Sequence, residues 1–180
     1  MNLTNHDLGQ LDRVDDEHWQ VRYTRSLKHP PEKVWRALTE PAHVDAWFPT
    51  TIDGERKAGA ALTFHFREHE ADDFEGEMLT FDPPKLLELM WGDDRLRFEL
   101  HPTGDGTELV FLVIMVERGK LARDGAGWHV KLDELAAHLD GAAPPTDPKE
   151  AWKRVNAMYR ERFGPEASTI GPPAELGYDT

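Results

Sequence analysis

The sequence contains no cysteine. That excludes disulfides, thiolate nucleophiles and Cys-ligated zinc, and it agrees with a reducing compartment. Positive charge is scarce: 21 Lys and Arg stand against 34 Asp and Glu, a net charge of −13 with His neutral. Such a field repels phosphate backbones and anionic bilayers, and no cluster of Lys and Arg with interleaved aromatics reverses it locally. Neither nucleic acid nor a membrane surface is therefore an expected partner. No apolar run approaches the roughly 20 residues of a membrane span, and the longest, 109–116, is strand-sized. The first residues lack the basic and then apolar run of a signal peptide, so a cytoplasmic location is expected. A serine elbow, a phosphate loop, a dinucleotide fingerprint and a His-Glu-x-x-His run are all missing. His65 and His69, four apart on a strand, would sit about 13 Å from each other, too far to chelate one ion. No cofactor, no metal ligand and no catalytic residue are expected.

What is present suits one domain. The chain has 180 residues, 39% of them apolar, enough to bury roughly 70% of the unfolded surface without staples. The first seventeen residues are acidic and weakly apolar and read as a flexible arm; 168–180, with Pro172 and Pro173, reads as a flexible tail. Between them the periodicity changes in a definite order. Residues 18–27 alternate and predict a strand. Pro30 and Pro31 open a helix carrying Val34, Ala37 and Leu38 at i, i+3 and i+4. Thr39 is placed to cap a second short helix with Val44, Trp47 and Phe48, stopped by Pro49. Residues 60–116 run at period two, broken by Asp82-Pro83-Pro84, Gly92-Asp93-Asp94 and Gly104-Asp105-Gly106, an antiparallel meander. Trp128, Leu132, Leu135 and Leu139 then form one stripe of a long helix ended by Gly141. A Pro-rich linker and a short accessory helix occupy 142–167. The fold class is α+β, with helices on one face of a curved antiparallel sheet.

Four segments in this order resemble a known family. They are His29-Pro30-Pro31-Glu32-Lys33-Val34-Trp35-Arg36-Ala37-Leu38-Thr39, Trp47-Phe48-Pro49, Gly76-Glu77 ahead of Asp82-Pro83-Pro84, and Gly127-Trp128 opening the stripe to Leu139. The chain resembles the START and birch-pollen-allergen-like (SRPBCC) superfamily over about residues 19–141. Within it, the chain is similar to the branch named after the C-terminal domain of the heat-shock-protein-90 ATPase activator. The resemblance implies a helix-grip fold, a curved sheet wrapped around the long C-terminal helix of a domain spanning 18–141. It also implies a cavity between sheet and helix. The superfamily includes carriers, polyketide cyclases and the chaperone activator, so fold does not select among them.

Alternation picks out the strand faces that would line such a cavity: Phe64, Phe66, Leu87, Leu89, Trp91, Leu96, Phe98, Leu100, Phe111, Val113 and Met115. Aromatic walls with few polar groups suit an apolar or aromatic small molecule; the competing reading is that these side chains fill the interior. Neighbours on a helix differ by about 100°, so Trp128 faces the sheet while His129, to one side, would offer a ligand a hydrogen bond. The expected ligand-binding residues are thus Trp47, Phe64, Phe66, Trp91, Phe98, Phe111, Met115, Trp128 and His129. Glu75, Glu88, Glu99 and Glu108 read as a solvated outer face, whereas Glu77 shares parity with Leu79 and Phe81. The expected function is non-enzymatic binding of a hydrophobic or aromatic molecule. Two alternatives are a cofactor-free cyclase or hydratase using a cavity His or Glu, His129 first, and a co-chaperone-like module, protein partner or homodimer paired through the C-terminal helix.

Overall fold

The computed structural model describes residues 7–67 and 71–173. In chain order its elements are β1 (Gln10–Arg13), β2 (Trp19–Leu27), α1 (Pro31–Thr39), α2 (Pro41–Val44), β3 (Thr50–Asp53), β4 (Ala61–Phe66), β5 (Phe74–Asp82), β6 (Leu86–Trp91), β7 (Asp94–Thr103), β8 (Gly106–Met115), α3 (Leu121–Leu139) and α4 (Pro148–Phe163). The eight strands make one antiparallel sheet in the order β1-β2-β8-β7-β6-β5-β4-β3. The long helix α3 lies against it, as a helix-grip fold requires.

Register puts the alternating apolar residues in rows across the sheet. Tyr23, Phe111, Phe98 and Leu87 stand opposite one another in turn, and Val21, Val113, Leu96 and Leu89 form the next row. All eight are buried, while Arg95, Arg97 and Glu99 share the outer face with Glu88, whose carboxylate accepts from Arg97 at 3.2 Å. One irregularity disturbs the parity. The register shifts between Met78 and Thr80, so Met78 is buried opposite Leu89 and Phe81 returns to the inner face opposite Leu87. A bulge inserts one residue and reverses the faces beyond it, which leaves Glu77 exposed despite its parity with Phe81.

Several sequence-based expectations need correction. Gln10–Arg13, read as flexible arm, pairs with β2, and Leu8 beside it is buried. Thr39 does not cap α2: its hydroxyl donates back to the Trp35 carbonyl at 2.8 Å, and Glu40 holds the cap position without a side-chain bond. The helix α2 ends at Val44, ahead of Trp47 and Phe48. β3, only four residues long, has no alternation signal of its own. The C-terminal helix starts at Leu121 and runs straight through Gly125 and Gly127. A Cβ at Gly125 would meet Phe163 and Tyr159 at 3.4–3.7 Å, so this glycine lets α4 lie close on α3. α4 is sixteen residues long and buries Trp152, Val155 and Tyr159, more than a short accessory helix. Of the tail, Ile170 donates its N–H to the Gly119 carbonyl at 3.0 Å. Among the described residues no helix is long and apolar enough to cross a membrane.

Candidate functional site

The candidate site is built from the concave face of the sheet, the turn after α2 and one face of α3. Phe98 and Phe111, opposite each other on β7 and β8, stack with centroids 4.2 Å apart and planes at 9°. Trp128 descends from α3 onto Phe111 edge-on at 5.4 Å, and Trp91 and Phe48 flank it at 5.5 Å each. Trp91 also meets Phe64 at 4.8 Å and Phe74 at 4.6 Å, and Phe66 packs on Phe74 at 5.7 Å. Trp47 closes the other side against Phe48 at 5.3 Å and Phe98 at 6.3 Å; its indole N–H donates to the Ala37 carbonyl at 2.8 Å. These separations and tilts are those of attractive aromatic pairs. The rings form one continuous apolar body, fully buried at Phe98, Phe111 and Phe64 but only half-buried at Phe66, Phe74 and Trp91. One end of the body therefore reaches the surface between β4, β5 and β6.

Close approach of the strands depends on Gly76. Its backbone lies under the Phe64 ring, where an added Cβ would stand 2.7 Å from Phe64 Cε2 and 2.0 Å from the Met90 carbonyl oxygen. Any side chain there would push the ring out of the stack.

Seven of the nine expected residues thus come together: Trp47, Phe64, Phe66, Trp91, Phe98, Phe111 and Trp128. Met115 is buried farther along the inner face of β8, four residues beyond Phe111. His129 lies elsewhere. The 100° step from Trp128 turns it toward α4, where it is fully buried between the rings of Tyr23 and Tyr159. The Tyr159 hydroxyl accepts from the Gly9 N–H at 2.7 Å and shares a hydrogen bond with His129 Nδ1 at 2.9 Å. Beside this pair the Tyr23 hydroxyl donates to the Gly125 carbonyl at 2.6 Å. Burial, with a smaller contribution from Arg25, drives the imidazole pKa down to about 3, so the ring is neutral near pH 7. Among the described residues its Nε2 has no hydrogen-bond partner, and it faces Asp133 Oδ2 at 3.7 Å. This polar cluster ties β2, α3, α4 and the N-terminal residues together.

Phe48 and Phe74 belong to the aromatic body but are not among the expected ligand-binding residues. Phe48 carried a signal in the Trp47-Phe48-Pro49 segment, whereas Phe74 begins its strand beside residues 68–70, which lie outside the described part. His69 falls in that gap. Ahead of it His65 pairs with Asp73 at 2.8 Å, and Arg67 donates to the Phe48 carbonyl and reaches Asp45 at 3.3 Å. The sequence model described as "Activator of Hsp90 ATPase homolog 1-like protein" matches residues 28–140, most of the chain. The chain belongs to this family.

Membership places α1, the aromatic body and α3 inside the matched segment and leaves β1 and α4 outside it. Solved structures repeat the architecture. EF2215 from Enterococcus faecalis, a conserved protein of unknown function, superposes with a TM-score of 0.72 at 21% identity, covering 86% of this chain and 90% of that one. CalU16 from Micromonospora echinospora gives 0.69 at 20% identity over 86% and 98%. DynU16, from the dynemicin biosynthetic locus, gives 0.62 at 23% over 74% and 51%. At these identities the likeness is one of fold. No curated protein sequence matches the chain.

Proposed function

We propose that this activator-homolog family member binds an apolar or aromatic small molecule, without chemical turnover, between the sheet and α3. The observation that carries the reading is the aromatic body itself. It is continuous from the buried Phe98–Phe111 stack through Trp128 to the half-buried Trp91, Phe74 and Phe66. Ring faces and edges favour a flat apolar ligand by stacking and area burial. A ligand entering at the Trp91 end would take the place of ring contacts rather than fill a void. Turnover at His129 is disfavoured, because its Nδ1 is engaged by Tyr159 and the ring is turned about 100° around α3 from Trp128, toward α4.

The test is thermal unfolding of the full chain against lipids, sterols, flavonoids and aromatic polyketides. A ligand at one hundred times its Kd adds about 2.7 kcal/mol, which raises Tm by roughly 5–10 °C in a chain of this length. Expected is a rise confined to one chemical class, diminished in Trp91→Ala, whose ring forms the half-buried end. A panel with no shift, or a shift that Trp91→Ala leaves intact, would overturn the reading.

A further inference from the structure

Away from the aromatic body, a surface cleft of about 330 Å3 opens between α1, α2 and the last turn of α3, bordered by Lys33, Arg36, His43, His138 and Asp140. Two imidazoles converge in it. His43 Nδ1 and His138 Nε2 stand 2.9 Å apart, one donating to the other, with the ring planes at 60°. The two residues are 95 positions apart in sequence, and each is half-buried, so the meeting is made by the fold rather than by a local turn. The geometry points to a two-histidine site for a divalent ion of the zinc, nickel or copper kind, held by His43 Nδ1 and His138 Nε2 and completed by water.

Two imidazole nitrogens on one tetrahedral ion, at bonds of about 2.0–2.1 Å, lie about 3.3 Å from each other. The pair is already within a few tenths of an ångström of that spacing, and an ion would take the place of the proton the two nitrogens share. Imidazole selects these borderline ions over magnesium and calcium, which require oxygen. The outer groups suit the role. His43 Nε2 faces Glu40 Oε2 at 3.6 Å, the arrangement in which a ligating histidine keeps its proton on the far nitrogen. His138 then donates Nε2–H to His43, and on metal binding that proton moves through water to its own Nδ1.

The charges around the cleft are mixed. Lys33 donates to the Leu139 carbonyl at 2.8 Å and to His29 Nδ1 at 3.1 Å, and His29 is tied to Asp140 at 2.7 Å. Arg36 opposes a cation, while Glu40, Asp140 and the carbonyl end of α3 favour one. No group of three or more ligating side chains occurs among the described residues, so two protein ligands and open water positions define the site. An ion there fastens α2, just ahead of Trp47 and Phe48, to the end of α3. This inference is independent of the small-molecule reading, since it is scored with no organic ligand present.

The experiment titrates the full chain with ZnCl2, and separately NiCl2, by calorimetry in a non-chelating buffer. Wild type is compared with His43→Gln, His138→Gln, the double variant and a His101→Gln control. Expected is one ion per chain in wild type and control. Either single substitution should weaken it by more than about tenfold, the lower end of what losing an outer partner alone costs, and the double variant should lose nothing further. Glutamine preserves size and hydrogen bonding, and circular dichroism of each variant checks the fold. Imidazole nitrogen NMR of wild type should show His43 Nδ1 and His138 Nε2 shifting together on zinc addition. An ion retained at wild-type affinity in either single variant would overturn the site, as would no zinc binding at up to roughly a millimolar.

Discussion

The burial of His129 makes one side chain a reporter of acid stability. In the folded chain its pKa is about 3 because burial penalises the charged ring, while in the unfolded chain it is near 6.5. Between those values the unfolded state holds a proton that the folded state does not, so stability falls as pH drops from 6.5 toward 3. Each unit of that window costs at most about 1.4 kcal/mol from this one group. Groups that titrate in both proteins cancel in a comparison with His129→Gln, which isolates the effect. Between pH 7 and pH 5 wild type should therefore lose about 2 kcal/mol more than His129→Gln, read from urea unfolding at each pH. Equal losses in the two proteins would mean that the ring reaches water and charges without unfolding. The same geometry shows why sequence alone does not give the partner of this residue. Helix geometry fixes its step from Trp128, but what stands on that side of α3 is Tyr159, 30 residues later.

At the scale of elements, α4 shows what local chemistry can and cannot specify. Its start is fixed by Asp147, whose carboxylate accepts from the Lys149 and Glu150 N–H groups at 3.0 and 3.3 Å, with Pro148 in the first turn. Removing that acceptor in Asp147→Ala should cost about 1 kcal/mol, measured as a fall in urea midpoint at unchanged slope; a cost near zero would mean the cap is replaced by water. The helix could be expected from Trp152, Val155, Tyr159 and Phe163, but its docking on α3 could not, because that contact rests on the bare backbone of Gly125 and the lean of Tyr159. The sheet divides in the same way. Strands with clean alternation, 87–91 and 96–100 above all, declared their inner faces in sequence, and with them most of the aromatic body. Period-two reasoning failed at the bulge between Met78 and Thr80, because an inserted residue leaves no compositional trace. The four-residue strands β1 and β3 are too short for a period to register, and long-range pairing alone orders them.

At the scale of the whole molecule, the interior is organised around one side chain that joins its layers. Trp128 belongs to α3, yet its ring contacts Phe111 on β8, Trp91 on β6 and Phe48 after α2. Trp91, by contrast, lies at the half-buried rim and shares its contacts with Phe64 and Phe74. Truncating the central ring leaves a cavity that rigid strands on one side and a helix on the other cannot collapse to fill. Trp128→Ala should therefore cost about 3–5 kcal/mol and lower Tm by roughly 10 °C. Trp91→Ala, whose site can relax toward solvent, should cost clearly less. Urea midpoints of the two variants at one pH compare them directly. If Trp91→Ala proves as costly as Trp128→Ala, the aromatic body is rigid to its surface end, and a ligand could not enter there. If the difference holds, the rim yields while the centre stands, the mechanical asymmetry that binding from the Trp91 end requires.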